Sequence, residues 1–593
     1  MIKCDLLIKN TVVMTDYETV KTGMDIGIKG ERILFVSEKG TEEVQAQKVI
    51  RGEGKLFMPG FTDSHMHTGQ QLLKGLVLDA KPIIWTRVML PFESTLTPEK
   101  MRLSAKTAAL EMIRCGTTSF VDAGSYYMDA AAEVYEKSGL RGCLSVSTMD
   151  EAGLQESISM NARQAVKETD RLYDTWNGKG NLKVYYALRA LNSCSDELVE
   201  LAASHAGERN AMFQAHMNEY QGEVDGIIKR EGIRPYEYLE KKGVLSERFL
   251  GAHSLILSEE EKEFIREKKV KICHCPFSNC GKAVPDTPDL VNRGIIPGFG
   301  SDGAAHGGLS LWNEMRIFRS LMNIYHGVPK HNPKVMPAEL LFRMMFEGGA
   351  AAVDEMGQCG RIEEGCKADM IGICLETARL IPSGNLIHTM FECGEAGDVS
   401  EMIVGGNLDV KFGLKLSIGS LIGAILGVKL NLIIPEEQVK VILYLVVLLS
   451  GISILVRKDG KPEDKKKKGF SIERNLPVTL LLGAVTGAIC SMSGAGGPVL
   501  VMPLLVVMGI SVRTAVGVAL FNSVFIGIPA VTGYLAQCDI KKLLPVLLIA
   551  LLTHGVGVYF GSKNASRINQ KLLKTGIAVF SVGIAVCKLT GIF

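Results

Sequence analysis

Short apolar segments alternate with amphipathic segments through the first four hundred residues. Eight segments have the length and the apolar or β-branched content of buried strands. They are residues 56–67, 117–123, 141–148, 182–190, 211–217, 249–254, 270–276 and 295–302. One helical pattern between them begins at Thr97 and ends before Gly116, and another begins with a capping box of Ser258 and Glu261. A strand followed by a helix, eight times, predicts an α/β protein built on a (β/α)8 barrel.

The pattern changes after Gly406. Six segments are long and nearly uncharged, and they meet the requirement of roughly twenty apolar residues for crossing a bilayer. They are residues 412–430, 438–456, 476–508, 515–535, 543–561 and 575–593. Lysines and arginines crowd the loop of residues 457–474, which the positive-inside rule places in the cytoplasm. The pattern predicts an all-α polytopic domain in the inner cell membrane, with the barrel on the cytoplasmic side.

Composition and charge narrow the classes of partner. The 593 residues carry a formal net charge of +2, which gives no electrostatic basis for binding nucleic acid. The 14 cysteines contain no CxxC pair, so we expect reduced thiols. The first residues, MIKCDLLIKN, lack the pattern of a cleaved signal peptide, which agrees with a cytoplasmic barrel.

Imidazole and carboxylate groups fall at the predicted carboxyl ends of the strands, where a barrel of this kind carries its chemistry. His65 and His67 are two residues apart on the first strand and therefore point the same way. His216 ends the fifth strand, His253 the sixth and Asp302 the eighth. Three histidines and an aspartate suit one divalent ion, zinc or iron(II), with an open position left for water.

Five motifs resemble the amidohydrolase superfamily, in particular its branch of chlorohydrolases and aminohydrolases. That branch includes S-adenosylhomocysteine/methylthioadenosine deaminases, guanine deaminases and triazine hydrolases. The motifs are PGFTDSHMHTG, HMNE, GAHS, CHCPFSNC and GSDGAAHG. The resemblance implies a barrel of residues 57–360, flanked by a small β-sandwich that both chain regions 1–56 and 361–406 build.

The resemblance also implies roles for the clustered residues. It implies four metal ligands, three catalytic residues and three residues at the substrate. The metal ligands are His65, His67, His216 and Asp302; the catalytic residues are Glu219, His253 and Asp302; and the substrate contacts are Trp85, Arg189 and His274. Glu219 would shuttle protons, and His253 would hydrogen-bond the water that the metal activates. The implied reaction is hydrolysis of an amino-substituted nitrogen heterocycle with release of ammonia, and release of chloride from a halogenated heterocycle is the alternative.

The fourth predicted strand favours one metal ion. Binuclear members of the superfamily carry a carboxylated lysine at the end of this strand, but here the strand ends near Arg189 and Lys183 lies at its other end. Arg189 also replaces the histidine expected in methylthioadenosine-type enzymes. A buried structural tryptophan is the equal alternative for Trp85, and we interpret Glu223 as a solvated helix residue.

The segment 476–508 is interrupted by CSMSGAGGPVLVMP. Such breaks are expected where membrane backbone lines a cavity, and a cluster of packing glycines is the alternative. With RTAVGVALFNSVF, the break resembles the TauE/SafE family of sulfite and organosulfonate exporters. The resemblance implies a partial transporter domain, residues 407–593, whose motif residues are Ser493, Gly494, Gly496, Gly497 and Pro498.

Two functions follow from the sequence. The first is a metal-dependent hydrolase of a small heterocyclic substrate, attached to the lipid bilayer by its C-terminal domain. The second is a membrane transporter with a catalytic passenger, although TauE/SafE transporters have two related halves and one glycine-rich break is present here. We interpret the join near Gly406 as a fusion of a nearly complete enzyme with a truncated transporter, and a homo-oligomer stays open.

Overall fold

The computed structural model describes residues 2–80, 84–151 and 153–406. The predicted membrane segments and the transporter motif at 493–498 lie outside these residues. Among the helices of the described residues, none has the length and apolar character needed to cross a membrane.

Sixteen strands are present in the described part of the chain. They are β1 (Ile2–Met14), β2 (Val20–Lys29), β3 (Arg32–Glu38), β4 (Val44–Arg51), β5 (Lys55–Pro59), β6 (Phe61–Met66), β7 (Thr117–Asp122), β8 (Arg141–Leu144), β9 (Leu182–Val184), β10 (Tyr186–Leu188), β11 (Phe213–Met217), β12 (Phe249–His253), β13 (Lys271–His274), β14 (Gly298–Phe299), β15 (Met370–Cys374) and β16 (Val399–Ile403).

Helices lie mainly between the strands from β6 onwards. The α-helices are α1 (Leu90–Glu93), α2 (Pro98–Cys115), α3 (Met128–Ser138), α4 (Ala162–Trp176), α5 (Asp196–Glu208), α6 (Gln221–Glu231), α7 (Pro235–Lys241), α8 (Glu259–Glu267), α9 (Pro276–Asn279), α10 (Thr287–Asn292), α11 (Leu311–Met322), α12 (Ala338–Arg343), α13 (Gly349–Ala352) and α14 (Leu386–Cys393). Short 3-10 helices span Thr68–Leu73, Glu156–Ile158, Leu191–Ser193, Ala304–His306, Val328–Lys330 and Ala396–Asp398, and π-helical turns span Trp85–Met89, Asn323–Gly327 and Met344–Gly348.

The barrel is built from two parallel sheets. The first has the strand order β6-β7-β8-β9 and the second the order β10-β11-β12-β13-β14. Tyr185 N donates to Leu144 O and Tyr186 N donates to Met212 O, so residues 182–188 form one strand that passes from the first sheet to the second. Asp302 N donates to His65 O at 3.0 Å, which brings the last strand beside the first. The predicted TIM-barrel-like α/β fold is confirmed.

A second sheet has the strand order β16-β15-β5-β1-β2-β3, with β4 paired to β1. Residues 56–67, predicted as one strand, contain two: β5 belongs to this sheet and β6 to the barrel. The chain changes sheets at Gly60, whose N–H donates to Asp369 O while Phe61 N donates to Gly116 O. A Cβ on Gly60 would lie 2.2 Å from Thr118 Cγ2, so only glycine fits this crossing.

A buried ion pair joins the barrel to the second sheet. Arg141 on β8 donates to both carboxylate oxygens of Asp369, at 2.8 Å from Nε and 3.3 Å from Nη2. The backbone N–H of Gly405 donates to the same carboxylate at 2.8 Å. Both side chains are buried, and the fork geometry suits a guanidinium paired with a carboxylate. The pair therefore fixes the last described residues against the barrel.

Helix ends follow the sequence prediction. Thr97 caps α2 by accepting a hydrogen bond from Lys100 N, and Gly116 ends it with a φ of 86°. The capping box of Ser258 and Glu261 starts α8. These local signals are confirmed: Thr97 and Ser258 accept from backbone N–H groups that the helix leaves unpaired, and Gly116 N–H donates to carbonyl groups of the last turn.

Candidate active site

Four side chains predicted as metal ligands meet at the carboxyl ends of the barrel strands. His65, His67, His216 and Asp302 are buried, and one ligand atom from each lies within 4.8 Å of the others. His67 Nε2 is 3.1 Å from His216 Nε2. Asp302 Oδ1 lies 3.5 Å from His65 Nε2 and 3.4 Å from His67 Nε2. Three imidazole nitrogens and one carboxylate oxygen therefore converge on one small volume.

The protonation of His67 and His216 fits a divalent metal. Burial, with nearby positive charge from Arg189, lowers the pKa of His67 to about 3, and burial lowers the pKa of His216 well below its ordinary value. Both imidazoles are therefore neutral near pH 7. Both ring nitrogens of His65 are buried without a hydrogen-bond partner among the described residues. A neutral imidazole has a lone pair on one ring nitrogen, so a cation at the point of convergence would take one nitrogen from each histidine. These nitrogens and the Asp302 oxygen suit zinc or iron(II).

Glu219 and His253 lie beside this cluster. Glu219 Oε1 is 3.6 Å from His253 Nε2. Asn279 Nδ2 is 3.0 Å from His253 Nδ1, and because an amide NH2 can only donate, Nδ1 accepts and the neutral ring carries its proton on Nε2. Burial lowers the pKa of His253 to about 4, so the ring is neutral near pH 7. His253 therefore presents an N–H donor to the space beside Glu219.

The backbone at this rim is shaped to turn side chains inward. Asn218, His253, Ser254 and Asp302 have φ values of 48°, 69°, 49° and 56°, a region that non-glycine residues rarely adopt. Asp63 steadies the turn before Asp302 by accepting from Ser301 N at 3.0 Å and from Ser301 Oγ at 2.6 Å. Strained conformations of this kind concentrate at functional sites.

A cavity of about 890 Å³ opens onto the cluster. Its lining includes His67, His216, Glu219 and Asp302, together with both Trp85 and Arg189 from the predicted substrate contacts. Trp85, Ile84, Val77, Leu78 and Met89 give one wall an apolar surface. A flat ring could pack on that wall with its edge towards the cluster.

The Arg189 guanidinium is held by an ion pair with Glu93, a residue that no sequence motif marks. Arg189 Nη2 donates to Glu93 Oε1 at 3.0 Å, and Nη1 donates to Gly124 O at 3.3 Å. Gln70 Nε2 donates to the same Glu93 oxygen at 2.8 Å. Gln70 Oε1 is buried without a hydrogen-bond partner in the described part of the chain, and Gln70 also lines the cavity. Arg189 and Gln70 therefore share the Glu93 carboxylate, and Arg189 is a cationic donor among the lining side chains.

Two sequence expectations are wrong. His274 does not line the cavity: its Nδ1 is 2.8 Å from His253 O, its Nε2 is 3.0 Å from Thr287 Oγ1, and its ring stacks on Phe318. It points outward because its neighbours Cys273 and Cys275 take the inward face of the strand. Glu223 is buried rather than solvated; it accepts a hydrogen bond from Glu219 N at 2.8 Å, and burial raises its pKa to about 8.

Lys183 lies away from the metal cluster, as its place in the fourth predicted strand indicates. Its Nζ donates to Val353 O at 3.0 Å and pairs with Glu355 at 2.9 Å. It therefore provides no ligand for a second metal ion.

Comparison with known proteins agrees with the site. Residues 56–408 match the amidohydrolase family, and residues 396–587 match the family of sulfite exporter TauE/SafE. The chain is 32% identical to 5'-deoxyadenosine deaminase of Methanobrevibacter smithii over 65% of this chain and 88% of that protein. It is 30% identical to 5-methylthioadenosine/S-adenosylhomocysteine deaminase of Pelotomaculum thermopropionicum over 68% of this chain and 93% of that protein.

A solved structure shares the fold. The adenosine deaminase from Xanthomonas campestris with bound zinc superposes with a TM-score of 0.65 at 22% identity, covering 69% of this chain and 93% of that one. Fold and site together define a metal-dependent hydrolase. The chain belongs to the amidohydrolase family. The predictions of a hydrolase that acts on carbon–nitrogen bonds and of a divalent metal cofactor are confirmed.

Proposed function

We propose that this chain is a zinc-dependent deaminase of an amino-substituted nitrogen heterocycle. The observation that carries the proposal is the convergence of His65, His67, His216 and Asp302 beside Glu219, at the end of a cavity large enough for a heterocycle. The names of the deaminase relatives support the same reaction. Zinc is favoured over iron(II) because the matching adenosine deaminase structure was described with bound zinc.

Each of the chain's own residues has a separate role in the reaction. Zinc, held by His65, His67, His216 and Asp302, would supply a nucleophilic water at neutral pH. Glu219 takes a proton from that water and delivers it to the leaving nitrogen, which departs as ammonia. His253 donates its Nε2–H and keeps the water oriented. Apolar side chains around Trp85 exclude bulk water from the ring.

Arg189 is a cationic hydrogen-bond donor among the side chains that line the cavity, so it suits a substrate ring with an acceptor nitrogen or oxygen on its edge. The relatives named as deaminases of 5'-deoxyadenosine and of 5-methylthioadenosine/S-adenosylhomocysteine support an aminopurine substrate. We therefore place an adenine nucleoside ahead of a 2-amino-4-oxopyrimidine.

The test measures ammonia release by the detergent-purified chain from isocytosine and guanine, from adenosine and 5'-deoxyadenosine, and from a chlorotriazine assayed for chloride. His216→Ala removes a ligand, and His388→Ala is the control because His388 is an exposed histidine paired with Glu339. Ammonia release that His216→Ala abolishes and His388→Ala leaves intact supports the proposal. Chloride release without ammonia contradicts it.

We further propose that the TauE/SafE-like part, residues 407–593, spans the membrane with the barrel in the cytoplasm. The match over residues 396–587 supports membrane association. Cys280 is an exposed thiol of the barrel and reports the side. A membrane-impermeant maleimide should label it in inverted vesicles and not in intact spheroplasts, with Cys280→Ser as the control. Equal labelling in spheroplasts would contradict this orientation.

A further inference from the structure

One five-residue segment contacts three separate groups of the active site. Ser278 Oγ donates to Asp302 Oδ2 at 2.6 Å, and Asn279 Nδ2 donates to His253 Nδ1 at 3.0 Å. Lys282 Nζ donates to Glu219 Oε1. We name residues 278–282 the clamp segment. Each acid, base or ligand that it touches comes from a different barrel strand, so the segment fixes their separations.

Lys282 holds the central place in this arrangement. Its Nζ also donates to Ser278 Oγ at 2.7 Å and lies 3.7 Å from Asp302 Oδ2. The cation therefore stands between the carboxylates of Glu219 and Asp302, which would otherwise repel each other in a buried site. Its side chain is 20% exposed and lines the cavity. Arg189 cannot replace it there, because Arg189 donates to Glu93 and Gly124.

The electrostatics agree with this geometry. Burial raises the pKa of Glu219, but the contact with the Lys282 cation opposes it, and the net pKa is below its ordinary value. The pKa of Lys282 is raised because the charges of Glu219 and Asp302 outweigh its burial. Both partners are therefore charged in the resting site.

We propose that Lys282 is a positioning residue for deamination: it holds the Glu219 carboxylate in the orientation from which the proton is transferred, and Ser278 and Asn279 hold Asp302 and His253 in register with it. This role rests on the proposed function, because it concerns the proton shuttle of that reaction. Lys282 acts through Glu219 and need not touch the substrate.

The experiment compares Lys282→Met, Lys282→Arg and Lys242→Met in the full chain. Lys242 is a matched control because it also binds two carboxylates, Asp196 and Glu200, each at 2.6 Å, and its side chain has a similar exposure of 22%. The measurements are kcat, KM, zinc per chain and melting temperature, with a compound that the wild-type chain deaminates.

A misplaced proton shuttle lowers kcat by about 100-fold without weakening substrate binding, since small errors of position cost about that much. We expect this loss in Lys282→Met, with KM within about twofold and zinc content unchanged, and partial recovery in Lys282→Arg, whose guanidinium still reaches a carboxylate. Lys242→Met should keep the wild-type kcat. A kcat for Lys282→Met close to wild type overturns the proposal, and so does a kcat loss that only follows loss of zinc or of folded protein.

A second measurement does not depend on activity. A water-soluble carbodiimide activates a carboxylate, and a lysine amine in contact displaces the resulting urea and forms an amide. Peptide mass spectrometry should find Lys282 joined to Glu219 and, as the internal control, Lys242 joined to Asp196 or Glu200. If the Lys242 cross-link forms and the Lys282–Glu219 cross-link does not, the contact between Lys282 and Glu219 is overturned. If the wild-type chain releases no ammonia from any compound, the proposed function fails and the positioning role fails with it, whereas turnover that Lys282→Met leaves intact overturns the positioning role alone.

Discussion

Replacing Glu93 by alanine should destabilise the enzyme part strongly, because it breaks a buried ion pair. The side chains of Arg189 and Glu93 are 2% and 0% exposed, and their charged atoms are 3.0 Å apart. Glu93→Ala leaves the Arg189 guanidinium buried with the Gly124 carbonyl and without its countercharge. Breaking a pair in this way costs about 3 to 5 kcal/mol.

The expected shift in melting temperature follows from the size of the folded unit. An unfolding entropy of about 2.1 cal/mol/K per residue over about 400 residues gives about 0.8 kcal/mol per degree. The variant should therefore melt about 4 to 6 °C below the wild type. Glu197→Ala is the control, because Glu197 pairs with Arg163 at 3.1 Å on the surface, with side chains 56% and 85% exposed. Such a pair contributes about 0 to 1 kcal/mol, so the control should shift by about 1 °C or less.

Tryptophan fluorescence can follow this melting in the intact, detergent-purified chain. The chain has 3 tryptophans, Trp85, Trp176 and Trp312, and all three precede residue 406, so the signal reports the enzyme part alone. The double variant with Arg189→Met should recover most of the loss, because the uncompensated charge is gone. A Glu93→Ala melting temperature that matches the Glu197→Ala control would refute the reasoning.

Three further outcomes are expected. Glu219→Gln should retain its zinc while kcat for ammonia release falls about 10² to 10⁴-fold, the usual contribution of a proton-transfer group, and a smaller loss would remove Glu219 from that role. His274→Leu should leave KM within about twofold of wild type. It should lower the melting temperature by about 1 to 4 °C, because the buried Thr287 hydroxyl and the His253 carbonyl lose a partner. A large rise in KM would show instead that His274 contacts the substrate. Arg141→Met should cost about 3 to 5 kcal/mol, read as a fall of about 4 to 6 °C in melting temperature, by stranding the buried Asp369 carboxylate, and an unchanged melting temperature would show that this pair does not join barrel and sheet.

The sequence predicted the barrel strands because each is a buried parallel strand and therefore a continuous apolar run. It could not divide residues 56–67 into β5 and β6, because the change of sheet at Gly60 leaves the apolar run unbroken. The partners that distinguish the two strands, Asp369 and Gly116, come from distant parts of the chain. Long-range pairing of this kind is absent from a local pattern.

The same limit applies to the site. The histidines and Asp302 are predictable because their residue types and strand-end positions are unusual together. The orientation of His274 is not predictable, because strand alternation gives two faces without saying which one is inward. Nothing local marks Glu93 and Gln70, and the roles of Glu93, Gln70 and Lys282 depend on partners that lie far away in sequence. Lys282 lies close to the quoted motif CHCPFSNC, and that proximity was the one available signal.

The central claim is that one zinc ion, held by the cluster at the barrel rim, makes this chain a deaminase. The direct measurement is a zinc titration of chelator-treated wild-type chain, with ammonia release and bound zinc measured in the same samples. Ammonia release should rise linearly and stop at one zinc per chain, and His216→Ala should neither hold the zinc nor release ammonia. Ammonia release that does not depend on zinc, or that His216→Ala retains, would contradict the account.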